Sequence, residues 1–283
     1  MKVLVLGATG MLGHVVAERF AARFDVHAGV RDVAAAGQLG IAGELHAVDA
    51  FQDGAVEALV AELRPDVVIN AIGLVKQLQA ASEPIPAITI NALLPHRLAA
   101  ACAEHAARLI HVSTDCVFSG ALPAPRAYGE DDVPDAYDLY GRSKLLGEVT
   151  EPPALTLRTS IIGRELRRAS GLMEWYASQD GKPVNGFTGA VFSGLTTKAF
   201  ARVLEAVVTD HPELTGLYHV AADPISKYDL LVRLRGPLGL TGEVRPVDEP
   251  RVNRALDGSR FATATGIAVP GWDEMIAEYG ARA

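Results

Sequence analysis

Apolar and polar positions in the first half of the chain alternate between two rhythms. Residues 3–6 form a continuous apolar run, as expected of a strand buried on both faces. Residues 11–22 follow with Leu12, Val15, Val16 and Phe20 at helical spacing. The same reading predicts strands at 26–30 and 45–48, a helix over 55–63 stopped by Pro65, and a strand at 67–70. An alanine-rich helix over 88–105, a strand at 109–113, a helix over 140–149 and a strand at 154–158 complete the series. Strands and helices alternating at this interval predict an α/β fold, a doubly wound parallel sheet of the Rossmann type.

Beyond about Gly163 the rhythm weakens. Glycine and proline cluster over 181–189, a helix is expected over 196–208, and short strands at 217–220 and 243–247 flank a helix starting near Ser226. The pattern divides the chain into a dinucleotide-binding domain, residues 1–163, and a smaller mixed substrate-binding lobe, residues 164–283. The chain is expected to cross back between them.

Composition narrows the partners. The 283 residues are 49% hydrophobic and carry a net charge of −8 without a dense basic stripe, which argues against nucleic acid. The apolar run before Gly7 is too short for a signal segment, and no stretch is long enough to span a bilayer. Cys102 and Cys116 are the only cysteines, so no disulfide framework points to export. The expectation is a cytoplasmic protein without a membrane partner. The histidines lack metal-ligand spacing, and no catalytic metal is expected.

The glycines of residues 7–13 fall between the first strand and first helix. Gly7 permits a tight turn, Gly10 lets backbone approach a pyrophosphate, and Gly13 permits close helix–strand packing. The helix N-terminus beyond offers free N–H groups to the phosphates. At the end of the second strand Arg31 would accommodate a 2′-phosphate, favouring NADPH, whereas adjacent Asp32 leaves NADH open. Asp49 would meet the adenine or simply form a turn.

Tyr140 and Lys144 stand one helical turn apart and project from one face. A phenol titrates near pH 10, and a nearby ammonium lowers that value. The pair is commonplace alone; with the glycine loop it predicts acid–base chemistry beside a nicotinamide. Residues 110–115 end a buried strand in Ser113, Thr114 and Asp115, at the sheet edge where open parallel sheets place their sites. Thr114, with Ser113 as the alternative, would hold a substrate carbonyl; both could instead merely cap the strand.

The segments GATGMLG at 7–13, NAIG at 70–73, STDCVFSG at 113–120, YGRSKLLGE at 140–148, LRTSIIG at 157–163 and GLYHV at 216–220 occur in order. Together they resemble the dTDP-4-dehydrorhamnose reductase family of the extended short-chain dehydrogenase/reductase superfamily. The resemblance covers most of the chain. It implies Thr114, Tyr140 and Lys144 as catalytic residues. It implies cofactor contacts at Gly7, Thr9, Gly10, Met11, Leu12, Gly13, Ala71, Gly73 and Thr159. The implied reaction is NAD(P)H-dependent reduction of a 4-keto group on a nucleotide-linked deoxysugar.

Three departures lie near the expected sugar: Cys116 and Ile161 replace the family's usual Tyr and Trp, and residues 74–77 differ from its usual pattern. Lys76 and Cys116 are therefore candidate substrate contacts, with a surface lysine and a small pocket-lining residue as their plain alternatives. A nucleophilic Cys116 would need a basic partner, and His111 lies five residues upstream. Phe118, Trp175, Phe187 and Arg254 are further substrate-binding candidates, by stacking or by clamping a diphosphate. Trp175 and Phe192 read first as core, with stacking as the alternative. Other readings are an NAD-retaining epimerase or dehydratase, and a non-catalytic cofactor-binding subunit. A homodimer is compatible with the sequence.

Overall fold

The computed structural model describes residues 1–75, 79–167 and 171–280. Its centre is a parallel sheet of seven strands. In chain order these include β1 (Lys2–Leu6), β2 (Asp25–Val30), β3 (Glu44–Ala47), β4 (Val67–Asn70), β5 (Arg108–Thr114) and β6 (Leu155–Thr159). The spatial order is Gly216–His219, β6, β5, β4, β1, β2, β3, with every pairing parallel. This is the doubly wound arrangement that the alternation predicts.

Burial on both faces explains the unbroken apolar runs. In β1, Val3 and Val5 join one core with Val16, Ala17 and Phe20 of helix α1 (Gly13–Phe20) and with the helix Thr197–Asp210. Leu4 and Leu6 face the other way, into a core with α3 (Ala55–Leu63) and the helix Leu94–Glu104. Between these, α2 (Val33–Gln38) follows β2 and is capped by the Asp32 side chain on the Ala35 N–H, 2.9 Å away. Arg64 turns left-handed (φ 44°) after α3, just before Pro65.

The helix expected over 88–105 starts earlier and is interrupted. Pro84–Ala87 runs into a π-helical turn, Ile88–Leu93, before Leu94–Glu104. The sequence alone assigns residues 217–220 to the smaller lobe, but Gly216–His219 pairs with β6 and extends the central sheet. A local apolar pattern identifies a strand without identifying its partner.

The remaining C-terminal strands are short. Ala190–Phe192 pairs with Ile225–Ser226 and Val252–Arg254 in a three-stranded sheet, and Val184–Phe187 pairs with Val244–Val247. The helix Lys227–Arg235 follows Ser226 directly. Bridges from Ala121 to Asn253 and from Tyr128 to Leu256 tie this lobe to the segment after β5. No helix among the described residues is long and apolar enough to cross a membrane.

Candidate active site

The glycine loop runs from the end of β1 into α1. Gly7 has φ 79°, a conformation that glycine adopts without a Cβ penalty. A Cβ on Gly13 would lie 2.2 Å from the Gly7 carbonyl oxygen, so only glycine lets the helix start so close to the turn. Gly10 donates back to the Gly7 carbonyl at 2.9 Å. The amides of Thr9, Met11 and Leu12 have no backbone partner among the described residues, which leaves them as donors for an anion. This cradle fits a dinucleotide diphosphate. Ala71 packs against the loop: a Cβ on Gly7 would come within 3.0 Å of its carbonyl group. Gly73 is exposed nearby in the chain, and Asn91, buried in the π-helical turn, fixes that segment through Leu74.

At the far end of β2, Arg31 is exposed, while Asp32 is engaged in capping α2. Asp49 is exposed and accepts from the Phe51 N–H at 3.0 Å, the geometry of a turn former.

Thr114 ends β5, in register with Thr159 at the end of β6. Its hydroxyl accepts from the Cys116 N–H at 3.1 Å, lies 3.2 Å from Asp115 Oδ1 and is close enough to the Tyr140 phenol to act on its protonation. Tyr140 and Lys144 sit on the helix Leu139–Leu146, which Asp138 caps through the Gly141 N–H. A Cβ on Gly141 would lie 2.3 Å from the Cys116 carbonyl oxygen, so glycine permits the helix to lie against the Thr114 turn. Lys144 is buried; its Nζ donates to the Val112 carbonyl at 2.8 Å and lies 3.5 Å from His111 Nε2.

Burial dominates the protonation of this cluster. It lowers Lys144 to about 8, with Glu148 opposing. It also raises the Tyr140 phenol above its ordinary value, with the neighbouring Cys116 adding to the rise and the Thr114 hydrogen bond opposing it. The Tyr–Lys spacing alone predicts a lowered phenol; here desolvation pushes it the other way, and the Lys144 ammonium is bonded to the Val112 carbonyl. Burial and neighbouring Asp115 push the Cys116 thiol up to about 12. Cys116 therefore remains a thiol, as the pocket-lining reading requires. His111 is fully buried, receives the Asn70 amide at 3.1 Å, and is held well below its ordinary value by burial and then Lys144.

The two hydroxyls at the end of β5 have different tasks. Ser113 donates to Glu148 Oε1 at 2.7 Å. Glu148 also receives Arg158 in a buried two-pronged pair at 2.8 and 2.7 Å. Arg158 continues to His219 Nε2 at 3.2 Å, and His219 Nδ1 donates to the Tyr128 carbonyl at 3.0 Å. Ser113 thus belongs to a buried scaffold beneath the site, which leaves Thr114 as the hydroxyl beside Tyr140.

Two cations reach this turn from the C-terminal lobe. Arg254, in register with Phe192, donates to the carbonyls of Phe118 (2.9 Å) and Ser119 (3.1 Å). Lys227 lies 4.2 Å over the Phe192 ring. Both act electrostatically on buried Asp115, whose carboxyl is raised by burial against their opposing pull. Lys227 escapes the sequence reading because a lone lysine at a helix start carries no motif. Asn91 escapes it too, and its amide donates to Ser143 Oγ on the helix Leu139–Leu146 at 3.2 Å. A buried asparagine in an otherwise alanine-rich stretch was the available signal.

Other expected contacts fall elsewhere. Phe118 is fully buried and stacks on Tyr128 with centroids 4.1 Å apart, so it is core and not a substrate surface. Its position after Thr114 suggested the site, but its ring turns under Tyr128. Trp175 is 39% exposed beside Tyr176, so it is not core, while Phe192 is core. Phe187 ends a strand of the two-stranded sheet, half-buried. Among the described residues, neither Trp175 nor Phe187 shares a hydrogen bond or ring contact with Thr114 or Tyr140. Ile161 is in a short strand beside Leu195, immediately beyond β6. Lys76 lies outside the described residues. A cavity of about 600 Å³ lined by Glu130, Tyr218 and Arg260 does not include Thr114, Tyr140 or Lys144.

Comparison with known proteins agrees with this geometry. The sequence matches the family described as RmlD substrate binding domain over residues 1–282. It is 32% identical to a dTDP-4-dehydrorhamnose reductase of Mycolicibacterium smegmatis, covering 97% of this chain and 84% of that protein. The fold is similar to a hypothetical dTDP-4-dehydrorhamnose reductase from Sulfolobus tokodaii, with a TM-score of 0.79 at 27% identity over 95% of this chain and 96% of that one. It is also similar in fold to a dTDP-4-dehydrorhamnose reductase from Bacillus anthracis solved in complex with NADP, with a TM-score of 0.81 at 21% identity over 98% of each chain. With its glycine cradle, its Thr114–Tyr140–Lys144 cluster and a match running almost end to end, the chain belongs to the RmlD substrate-binding-domain family.

Proposed function

We propose that this chain is an NAD(P)H-dependent reductase of a 4-keto group on a nucleotide-linked deoxysugar, with NADPH preferred. The observation that carries this reading is the cluster in which the Thr114 hydroxyl meets the Tyr140 phenol beside a buried Lys144. A bound nicotinamide would supply the hydride.

The residues divide the remaining work. The Thr9, Met11 and Leu12 amides bind the cofactor diphosphate, and Arg31 receives a 2′-phosphate while Asp32 caps α2. Lys144 orients the nicotinamide ribose. Thr114 directs the substrate carbonyl toward Tyr140, and Tyr140 donates the proton to its oxygen. The high phenol value suits a group that must arrive protonated at neutral pH. Lys227 and Arg254 present positive charge to the anionic part of the substrate; Arg254 is already anchored by the Phe118 and Ser119 carbonyls. Cys116 lines the sugar side as a neutral thiol.

Exposed Ile85, Ile88 and Leu93, at 80%, 47% and 49% exposure, support a homodimer as part of the same proposal, and sedimentation velocity tests it. The function itself is tested by following NADPH oxidation against a panel of nucleotide-linked 4-ketosugars, dTDP-linked ones first. Oxidation with at least one of them is expected. Turnover without added cofactor, with nucleotide retained through purification, would replace this reading by an NAD-retaining epimerase. Loss of the reaction from the whole panel, together with copurification of another enzyme, would favour a non-catalytic subunit.

A further inference from the structure

Three potential ligands converge at the edge of the central sheet, on β2 and β3. Residues paired in register share a face of the sheet, so His27 and its partner Glu44 point to one side, as do Gly29 and its partner His46. His27 Nδ1 and His46 Nε2 are 2.8 Å apart. The two oxygens of Glu44 lie 3.8 Å from His27 Nδ1 and 3.8 Å from His46 Nε2. A tetrahedral zinc ion, with bonds of about 2.0–2.2 Å, needs ligand atoms about 3.3 Å apart. The His–His separation, now a hydrogen bond, is shorter than that spacing and the two separations to the Glu44 oxygens are longer, so shifts of about half an ångström would seat an ion.

The other side of His27 carries the second observation. Its Nε2 is buried and has no hydrogen-bond partner, and the imidazole is 7% exposed. The Asp25 carboxylate lies 3.5 Å away. A metal on Nδ1 requires the ring proton on Nε2, where it faces that carboxylate. Metal-bound histidines commonly donate their second nitrogen in this way, which fixes the tautomer and strengthens the ligand. Glu44 is 69% exposed and opens the cluster to solvent, giving an ion a path in and a water a fourth position.

We propose that His27, His46 and Glu44 form a site for a divalent transition ion of the zinc class, with Asp25 positioning His27. Two imidazoles and a carboxylate select such an ion over magnesium or calcium. The ion would clamp the short edge strand β3 to β2, the strand that ends beside Arg31. The site is independent of Tyr140 and of the proposed reaction.

The test uses the full chain, stripped with a chelator and titrated with Co²⁺ and with Zn²⁺. One equivalent should bind, with the visible absorption of tetrahedral cobalt and no thiolate-to-cobalt charge-transfer band, and Zn²⁺ should raise Tm. His46→Gln and Glu44→Gln should each weaken binding at least about tenfold and abolish the rise in Tm, and Asp25→Asn should weaken binding about 10–100-fold. His105→Gln, outside the cluster, should change neither. Circular dichroism and NADPH binding establish that each variant is folded. Absence of saturable one-equivalent binding, a thiolate band, or binding that survives both His46→Gln and Glu44→Gln in folded protein would overturn the proposal.

Discussion

Lys144 donates a 2.8 Å hydrogen bond to the carbonyl of Val112, two residues before the end of the strand that carries Thr114. This bond ties the helix Leu139–Leu146 to β5 and holds a desolvated ammonium at that strand. Its value of about 8 makes the charge sensitive to mild alkali. NADPH affinity should therefore be constant up to about pH 7.5 and weaken as pH rises through about 8, where Lys144 loses its proton. The stability trend runs oppositely. The unfolded lysine holds its proton to about pH 10.4, so the unfolded state binds more protons above pH 8 and folding stability from this group rises with pH. Fluorescence titration of NADPH across pH 6.5–9.5, beside urea melts, separates the two.

Glu148 connects Ser113 to Arg158 in a buried pair, with side-chain exposures of 6% and 5%. Removing one charge leaves the other buried without its partner. Glu148→Gln should destabilise the fold by about 3–5 kcal/mol, read from urea denaturation. The main effect should be on stability; because Glu148 also holds the Lys144 value up, NADPH affinity in the folded fraction should begin to fall at a lower pH than in the unmodified protein.

Lys227 joins Arg254 near Asp115 without an ion-pair partner within 4 Å among the described residues. Lys227→Met should raise KM for the nucleotide sugar about tenfold to a hundredfold, the loss of one charge-assisted hydrogen bond. NADPH affinity should stay within about twofold, because the lysine enters from the C-terminal lobe. An effect on NADPH alone would contradict the role given to it.

Much of the fold was legible because both faces of the sheet are buried. The alternation of Val3 and Val5 against Leu4 and Leu6 produces an apolar run that only a sandwiched strand needs. The helix Ala55–Leu63 and strand Val67–Asn70 have the predicted limits, since Pro65 and the apolar pattern mark them locally. What escaped depends on distant partners. Gly216–His219 reads as a strand, but its place beside β6 is set by packing some 60 residues away in sequence. Phe118 looked like a pocket residue because it follows Thr114, whereas Tyr128 and His219 enclose it. Lys227 and Asn91 act through tertiary placement, one beside Phe192 and one against Ser143, and neither position has a spacing rule.

Arg31 is exposed at the end of β2, and its neighbour Asp32 accepts from the Ala35 N–H in capping α2. Under the proposed NADPH preference, Arg31 would receive a 2′-phosphate there. Arg31→Ala should weaken NADPH binding about tenfold to a hundredfold and leave NADH binding within about twofold. Isothermal titration with both nucleotides measures the ratio; an unchanged ratio would remove Arg31 from the cofactor site.

The most direct measurement is turnover of Tyr140→Phe with NADPH and a reducible nucleotide-linked 4-ketosugar, beside NADPH affinity. Removing the hydroxyl takes away the proposed proton donor without touching the glycine cradle. The account predicts kcat lowered about 10²–10⁴-fold with NADPH affinity retained. Turnover within about threefold of the unmodified protein, against the hundredfold or greater loss required of a general acid, would contradict it.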